Sequence, residues 1–146
     1  MRMYRHTQIA GWMFVMLAGT GVFVAWVLMA AEAPESAAWA SLAIILACAV
    51  LFGSLTVEVD HSELRFWFGP GVWRKRIPLS DVAACRTVRN KWWYGWGIRR
   101  IPDGWLYNVS GLGAVELTLQ RGTKLRVGTD EPDVLNRRIA MARATG

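Results

Sequence analysis

The chain has 146 residues, of which 53% are hydrophobic and only 19% are charged, whereas an ordinary soluble domain carries roughly 25% charged residues. Two long runs, from Ile9 to Ala31 and from Ala37 to Val57, contain no charged residue. Each run reaches the ~20 apolar residues needed to cross the ~30 Å hydrocarbon core of a bilayer. This composition excludes a soluble globular protein, a disordered chain and a small disulfide-rich secreted protein.

The two apolar runs predict a transmembrane helical hairpin at residues 9–55, with helices over about 9–31 and 37–55. The connector between them is short and contains Pro34, which cannot continue a helix interior. A connector this short makes the helices antiparallel neighbours. Neither span carries an acidic, basic or histidine side chain of the kind that marks an ion path or a proton relay. We therefore expect an anchor in the lipid bilayer rather than a transporter.

The distribution of basic residues predicts the orientation of this anchor, because Lys and Arg collect in the cytoplasmic flanks of membrane spans. Arg2 and Arg5 precede the first span, the connector carries only Glu32 and Glu35, and fifteen of the 17 basic residues follow residue 55. We expect a multi-pass protein of the cell (inner) membrane with both termini in the cytoplasm. Residues 1–8 are then a cytoplasmic N-terminal tail.

A cleaved signal peptide is the alternative interpretation of the first run. Arg2 and Arg5 precede it, and Ala31-Glu32-Ala33 resembles a cleavage site. The apolar core of a signal peptide is usually ~7–15 residues long, however, and this run is longer. The second apolar run also follows at once, as the partner of a hairpin does.

Residues 56–146 predict a cytoplasmic domain built mainly from strands. From Thr56 onward apolar and polar residues alternate, which is typical of antiparallel strands with one buried face and one solvated face. Alternation and turn signals give about seven strands, and the chain ends in an amphipathic helix with an apolar stripe. The strands are predicted near residues 57–60, 64–68, 73–77, 82–88, 105–109, 115–119 and 125–127.

The order of these segments resembles the bacterial pleckstrin-homology-like (PH-like) membrane proteins. Two membrane helices run directly into the strand at residues 55–60, and the late hairpin at 115–127 leads into the terminal helix. The resemblance implies a partly open antiparallel β-barrel of about seven strands closed by a C-terminal helix, and no catalytic residues. Its motifs are Arg76-Ile77-Pro78-Leu79-Ser80-Asp81-Val82 and Gly128-Thr129-Asp130-Glu131-Pro132.

One loop departs from the pattern of eukaryotic PH domains that bind phosphoinositides. In that pattern the first hairpin loop carries basic residues. The corresponding predicted loop here, Asp60-His61-Ser62-Glu63, is acidic. The resemblance therefore does not extend to inositide binding of that type.

The sequence contains no motif for catalysis, for a cofactor or for a metal. Nucleophile-elbow, phosphate-loop and zinc-protease motifs are all missing. His6 and His61 fall in the predicted tail and in a turn, and Cys48 and Cys85 have no second cysteine or histidine at metal-ligand spacing. We expect a protein that is not an enzyme and that binds no cofactor.

The most unusual segment is rich in tryptophan, arginine and glycine and covers residues 91–105. Aromatic rings suit the headgroup level of a membrane, and Trp and Arg are enriched at the centres of protein interfaces. With the basic cluster after Gly71, this segment supplies our candidate surface for a partner or for lipid. Its members are Arg74, Lys75, Arg76, Lys91, Trp92, Tyr94, Arg99 and Arg100.

Both clusters also have a purely structural interpretation. The tryptophans can fill the barrel and brace a wide bend, and we expect Trp93, Trp96 and Trp105 in the core. Arg99 and Arg100 cannot easily both be buried, so at least one should be exposed. The other cluster, residues 74–76, can be a solvated edge strand that is protected from aggregation by its charge.

These features favour a membrane-anchored PH-like module that scaffolds or regulates a membrane-protein partner. A sensor of anionic lipid headgroups is the main alternative, and an accessory subunit of an enzyme is a third interpretation. Nucleic-acid binding is not expected, because the domain is tied to a membrane and has no stacking motif on a strand. Small residues recur at four-residue spacing in the spans, for example Gly21 with Ala25, and this spacing lets helix backbones approach closely. A homo-oligomer is therefore a further interpretation.

Overall fold

The computed structural model describes residues 2–145, which form an α+β fold of three α-helices and nine strands within that range. Two long apolar helices near the N-terminus precede most of two β-sheets, and a third helix packs on the second sheet at the C-terminus. The elements are β1 Arg2–Ile9, α1 Gly11–Ala30, α2 Glu35–Phe52, β2 Ser54–Asp60, β3 Glu63–Phe68, β4 Trp73–Pro78, β5 Val82–Arg89, β6 Gly97–Ile101, β7 Gly104–Asn108, β8 Gly113–Leu119, β9 Lys124–Gly128 and α3 Pro132–Thr145.

Helices α1 and α2 agree with the two predicted spans to within about three residues at each end. Their mean hydropathies are 2.2 and 1.9, and none of their residues is buried by the rest of the fold. A helix that is apolar on every side is unfavourable in water, because such helices are normally buried in a protein core or in a membrane. Both helices are long and apolar enough to cross a membrane.

The first sheet has the strand order β1-β2-β3-β4 and is antiparallel throughout. Its first strand lies where the sequence predicted an N-terminal tail, at residues 1–8. Tyr4 pairs with Val59 and His6 with Val57. Residues 2–9 are therefore an integral part of the sheet, whereas Met1 lies outside the described residues.

The helical hairpin is inserted between the paired strands β1 and β2. One residue joins strand to helix at each end: Ala10 between β1 and α1, and Gly53 between α2 and β2. The Ala10 amide donates a hydrogen bond to the Gly53 carbonyl at 2.8 Å, and Ala10 is fully buried. The first hairpin loop of the sheet is thus the pair of apolar helices, and the acidic residues 60–63 connect β2 to β3.

The second sheet has the order β5-β8-β9-β7-β6. The prediction of an α+β fold with two N-terminal helices, a strand-rich domain and a C-terminal helix is confirmed. The structure differs from the predicted antiparallel barrel of about seven strands in two respects, because β7 runs parallel to β9 and because β1 and β6 add to the strands predicted. The parallel contact needs a glycine. Gly104 has a φ of +150°, and a Cβ atom there would overlap the carbonyl oxygen of Lys124.

The two sheets enclose one hydrophobic core, and helix α3 closes one corner of it. Leu135, Ile139 and Ala142 on α3 are fully buried against β5, β8, β1 and β2. Burial of a side chain the size of Leu135 or Ile139 contributes roughly 1.5–3 kcal/mol. At the opposite corner the two sheets end in β4 and β6. The core side chains from the sheets include Leu55, Val57, Val59, Leu64, Phe66, Phe68, Val115, Leu117, Leu125 and Val127.

The position of β1 predicts the behaviour of soluble fragments. A fragment of residues 54–146 lacks β1, so the edge of β2 is open and we expect it to aggregate. A fragment in which residues 2–9 are joined to Ser54 by a two-residue Asn-Gly turn should unfold cooperatively and give dispersed amide resonances in NMR spectra. Equal dispersion in both fragments would contradict the structural role of β1.

Candidate binding surface

The structure places the predicted surface residues on two neighbouring regions that meet at β6. Arg74, Lys75 and Arg76 lie on β4, and Arg99 and Arg100 lie on β6. These strands are the edges of the two sheets at the corner that α3 does not cover. The remaining candidates, Lys91, Trp92 and Tyr94, lie in the connection between β5 and β6.

An apolar groove of about 260 Å³ separates the two edge strands. Trp73 from β4 and Trp105 from β7 are 57% and 41% exposed, because no helix or strand covers them in the described part of the chain. We call this feature the edge groove. Its apolar lining consists of Phe66, Phe68, Trp73, Ile98, Trp105 and Tyr107.

Lys75 points into the edge groove although its neighbours on β4 point away. It pairs with Phe66, whose ring belongs to the core, so its side chain lies on the inner face of the sheet. The Lys75 ammonium donates a hydrogen bond to the Tyr107 hydroxyl at 3.1 Å and lies 5.3 Å from the centre of that ring. The hydroxyl therefore holds the ammonium beside the edge of the ring. A positive charge therefore lies at the mouth of an apolar groove.

The arginines of β6 lie on opposite faces of the second sheet. Arg100 pairs with Trp105 and therefore shares the face that borders the edge groove, whereas Arg99 pairs with Leu106 on the outer face. Both arginines are exposed. The expectation that at least one of them is exposed is confirmed.

Arg5 and Arg65 extend the basic surface across the outer face of the first sheet. The guanidinium groups of Arg5 and Arg74 lie 5.6 and 5.9 Å from the centre of the Trp67 ring. Arg76 pairs across the strands with Arg65, which also forms an ion pair with Glu63. Basic side chains thus cover the outer side of β4 as well as its groove side.

The connection from β5 to β6 lies over the outer face of the second sheet. The Arg126 guanidinium is 5.9 Å from the centre of the Tyr94 ring and donates a 3.5 Å hydrogen bond to the buried side chain of Asn90. Lys91 lies 5.1 Å from the Trp93 ring centre. Tyr94 is therefore a packing residue, whereas Trp92 is 75% exposed.

The expectation that Trp93, Trp96 and Trp105 belong to the core is wrong. They are 60%, 43% and 41% exposed, because aliphatic side chains and phenylalanines fill the space between the sheets. Trp105 borders the edge groove instead, and Trp96 contacts Trp12 of α1 with ring centres 5.9 Å apart.

The sheets and the apolar helices are in close contact. A Cβ atom on Gly69, in the β3–β4 turn, would overlap the carbonyl oxygen of Val50 near the end of α2. Phe52 and Phe68 meet edge to face at 6.3 Å. A cleft of about 350 Å³ lies at this junction between the helices and both sheets. The β3–β4 turn and the start of β6 therefore lie at the level where the helices leave the sheets.

A buried ion network that the sequence did not reveal supports the outer face of the second sheet. The Glu116 carboxylate is almost fully buried, and it accepts hydrogen bonds from Arg126 at 2.8 Å and from Arg86 at 2.6 Å. Burial by itself raises the pKa of Glu116, but the two arginines outweigh it and hold that pKa below the usual value. These three residues come together only through the register of the paired strands β5, β8 and β9. The sequence does not show that register before the strand pairing is known.

The network predicts unequal effects of its members on stability. Glu116→Gln replaces the carboxylate beside the mostly buried Arg126 by a neutral amide, so we expect a loss of about 3 kcal/mol. Arg86 is 65% exposed, and Arg86→Ala should cost less than about 1 kcal/mol. Both values can be measured by denaturant unfolding in detergent, followed by tryptophan fluorescence.

The same carboxylate gives a pH dependence of known sign. Because its folded-state pKa is depressed, its contribution is present above the ordinary glutamate value and is lost as the pH falls through the folded-state pKa. Wild-type stability should therefore fall with acidification below about pH 4.5. The free energy of unfolding of the Glu116→Gln variant should depend less on pH in that range. Parallel pH profiles would contradict this role for Glu116.

Among residues 2–145, no three His, Cys, Asp or Glu side chains are grouped so that they could hold a metal ion. What the surface offers is guanidinium and ammonium groups, which bind anions, and indole rings, which pack against apolar groups and cations. Comparison with known proteins does not assign a ligand or a function to these groups. No family model, no curated protein and no solved structure matches the chain.

Proposed function

We propose that this protein is a membrane-anchored, non-enzymatic module with a PH-like fold, which scaffolds or regulates a membrane-protein partner. The observation that carries this proposal is the edge groove, an exposed apolar groove with tryptophan walls and basic residues on both flanking strands. Trp and Arg contribute most to binding when they lie at the centre of an interface. The groove supplies both on one surface that is held close to the apolar helices.

The insertion of the helices between β1 and β2 supports the membrane part of the proposal. Both helices leave the sheet from adjacent antiparallel strands, so the N-terminal strand and the rest of the domain lie on the same side of a membrane that the hairpin crosses. The excess of Lys and Arg outside the hairpin favours the cytoplasmic side. Cleavage near Ala33 would remove β1 from its sheet, which argues against a signal peptide.

The architecture of the domain supports the PH-like part. Two sheets around one core, with a C-terminal helix at one open corner, are similar to the partly open barrel that the resemblance implies. The chain differs from that expectation in its strand number and in its parallel β7–β9 pair. Its first hairpin loop is a pair of apolar helices, so the loop that carries basic residues in phosphoinositide-binding PH domains is replaced.

A test of the partner proposal compares tryptophan variants of the full chain in native membranes. Trp73→Ala combined with Trp105→Ala removes the walls of the edge groove, and we expect at least a 5-fold loss of a co-purifying membrane protein after mild cross-linking. Trp92→Ala is the matched control, because Trp92 is exposed but lies outside the groove. Loss of the same protein in the control and not in the groove variant would place the interface elsewhere.

A sensor of anionic headgroups is the second candidate, and the level of the tryptophans favours it. Trp12 and Trp96 meet where α1 leaves the sheets, and Trp73 follows the turn that presses against α2. Indole rings suit the headgroup region. Lys or Arg near an anionic leaflet contributes about 1 kcal/mol each. Arg74 directly follows Trp73 on β4, and Lys91 lies in the β5–β6 connection that also contains Trp96.

Salt separates the two candidates. With the full chain in nanodiscs, a headgroup sensor should show slower amide hydrogen exchange in β4 and residues 91–96 when phosphatidylserine replaces phosphatidylcholine. The effect should weaken strongly between 50 mM and 500 mM salt, because the Debye length shrinks. Lys91→Ala combined with Arg99→Ala should remove it, and Arg137→Ala combined with Arg138→Ala on α3 should not. Exchange that is independent of lipid charge would rule out the sensor.

A further inference from the structure

We propose that the edge groove binds an extended acidic segment of the partner as an additional β-strand on the open edge of β4. This inference rests on the proposed function and names the chemistry of the segment that the surface binds. Addition of a strand to a free sheet edge is a common mode of peptide recognition, in which main-chain hydrogen bonds give affinity and alternate side chains give specificity.

The first support is the open edge itself. Within residues 2–145, β4 pairs with β3 on one side only, and β6 pairs with β7 on one side only. An edge strand presents unpaired amide and carbonyl groups, which are a template for another strand. Helix α3 covers the corner near β5 and leaves this corner uncovered.

The second support is charge. The two edge strands carry Arg74, Lys75, Arg76, Arg99 and Arg100, and neither contains an acidic residue. Two copies of such an edge repel each other, so the charge opposes pairing between identical chains. An acidic strand reverses the sign of that interaction. The edge is thus selective by repulsion as well as by attraction, as specific interfaces commonly are.

The third support is the alternation of side chains along β4. Trp73 and Lys75 lie on the groove side, whereas Arg74 and Arg76 lie on the outer side. A strand paired with β4 would place every second side chain in the groove and the others opposite the two arginines. Opposite charges on directly paired residues contribute roughly 0.2–1 kcal/mol each. The expected segment therefore alternates apolar residues with Glu or Asp.

The groove is suited to the apolar half of this pattern. Its volume of about 260 Å³ is lined by rings and by Ile98. The exposed indoles of Trp73 and Trp105 would lose contact with water when aliphatic side chains enter between them. Lys75 remains as the polar group at the mouth, where its bond to Tyr107 can exchange for a carboxylate.

The test uses the full chain in nanodiscs of phosphatidylcholine, with fluorescent eight-residue peptides as probes. One peptide alternates Val and Glu, a second alternates Val and Lys, and a third is the Val–Glu peptide with alternate amides N-methylated. We expect the first to bind and the other two to bind at least 10-fold more weakly. N-methylation removes donors to β4 but keeps the charge, so equal binding of the first and third peptides would overturn strand addition.

Matched variants locate the site. Arg74→Ala combined with Arg76→Ala should weaken binding of the Val–Glu peptide by 3- to 10-fold, because it removes the charges opposite the Glu side chains. Arg137→Ala combined with Arg138→Ala removes an exposed basic pair on α3 and should leave binding unchanged. Equal losses in both variants would mean that net charge, not the β4 edge, attracts the peptide. Unchanged thermal unfolding midpoints exclude a loss of fold.

The outcomes separate this proposal from the one on which it rests. If no peptide binds while the Trp73/Trp105 variant still loses its co-purifying protein, the groove is an interface but strand addition is wrong. If phosphatidylserine nanodiscs change hydrogen exchange in β4 and no peptide binds, the basic edge contacts lipid and the acidic-strand proposal is overturned. Loss of neither protein nor peptide binding in the variants would contradict both proposals.

Discussion

The pairing of β1 with β2 is the interaction on which the rest of the structure depends. It joins the first residues of the chain to the first strand after the helices, and the Ala10–Gly53 hydrogen bond closes the sheet where the helices leave it. Because one residue links each strand to its helix, the orientation of the hairpin follows from the direction of the two strands. The contacts of Phe52 with Phe68 and of Trp12 with Trp96 then hold the domain against the helices. The domain cannot turn independently of the two helices.

The two corners between the sheets are covered in different ways. A curved pair of sheets leaves corners at which core side chains meet water. Helix α3 covers one corner with aliphatic side chains, and at the other corner aromatic rings and Lys75 cover the core only in part. Stability alone would favour a closed second corner, since burial of apolar area is favourable. The second corner nevertheless stays open, and both of its edge strands are basic.

Most of the fold could be predicted from the sequence, because alternation marks each strand whose faces differ in polarity. Two strands were missed for physical reasons. The side chains of β1 are mostly polar, and among residues 3–9 only Gln8 is buried, so this strand shows no apolar face. Strand β6 lies in a segment whose glycines and tryptophans look like a loop. The tryptophans were also predicted wrongly, because large aromatic side chains are expected in a core. The structure places Trp96 and Trp105 at the margin of the core. The groove could not be predicted, because it exists only between strands that are distant in the chain.

The insertion of the hairpin into the sheet has a consequence for biogenesis. The first strand emerges from the ribosome long before its partner, and if both helices enter a bilayer this strand must stay on the side of synthesis. Its pairing is complete only after residue 60 is made. If only one helix inserted, β1 and β2 would be left on opposite sides of the membrane, and the edge of β2 would remain open to aggregation and proteolysis. For a hairpin that spans a membrane, insertion of both helices would therefore be a condition for folding of the domain.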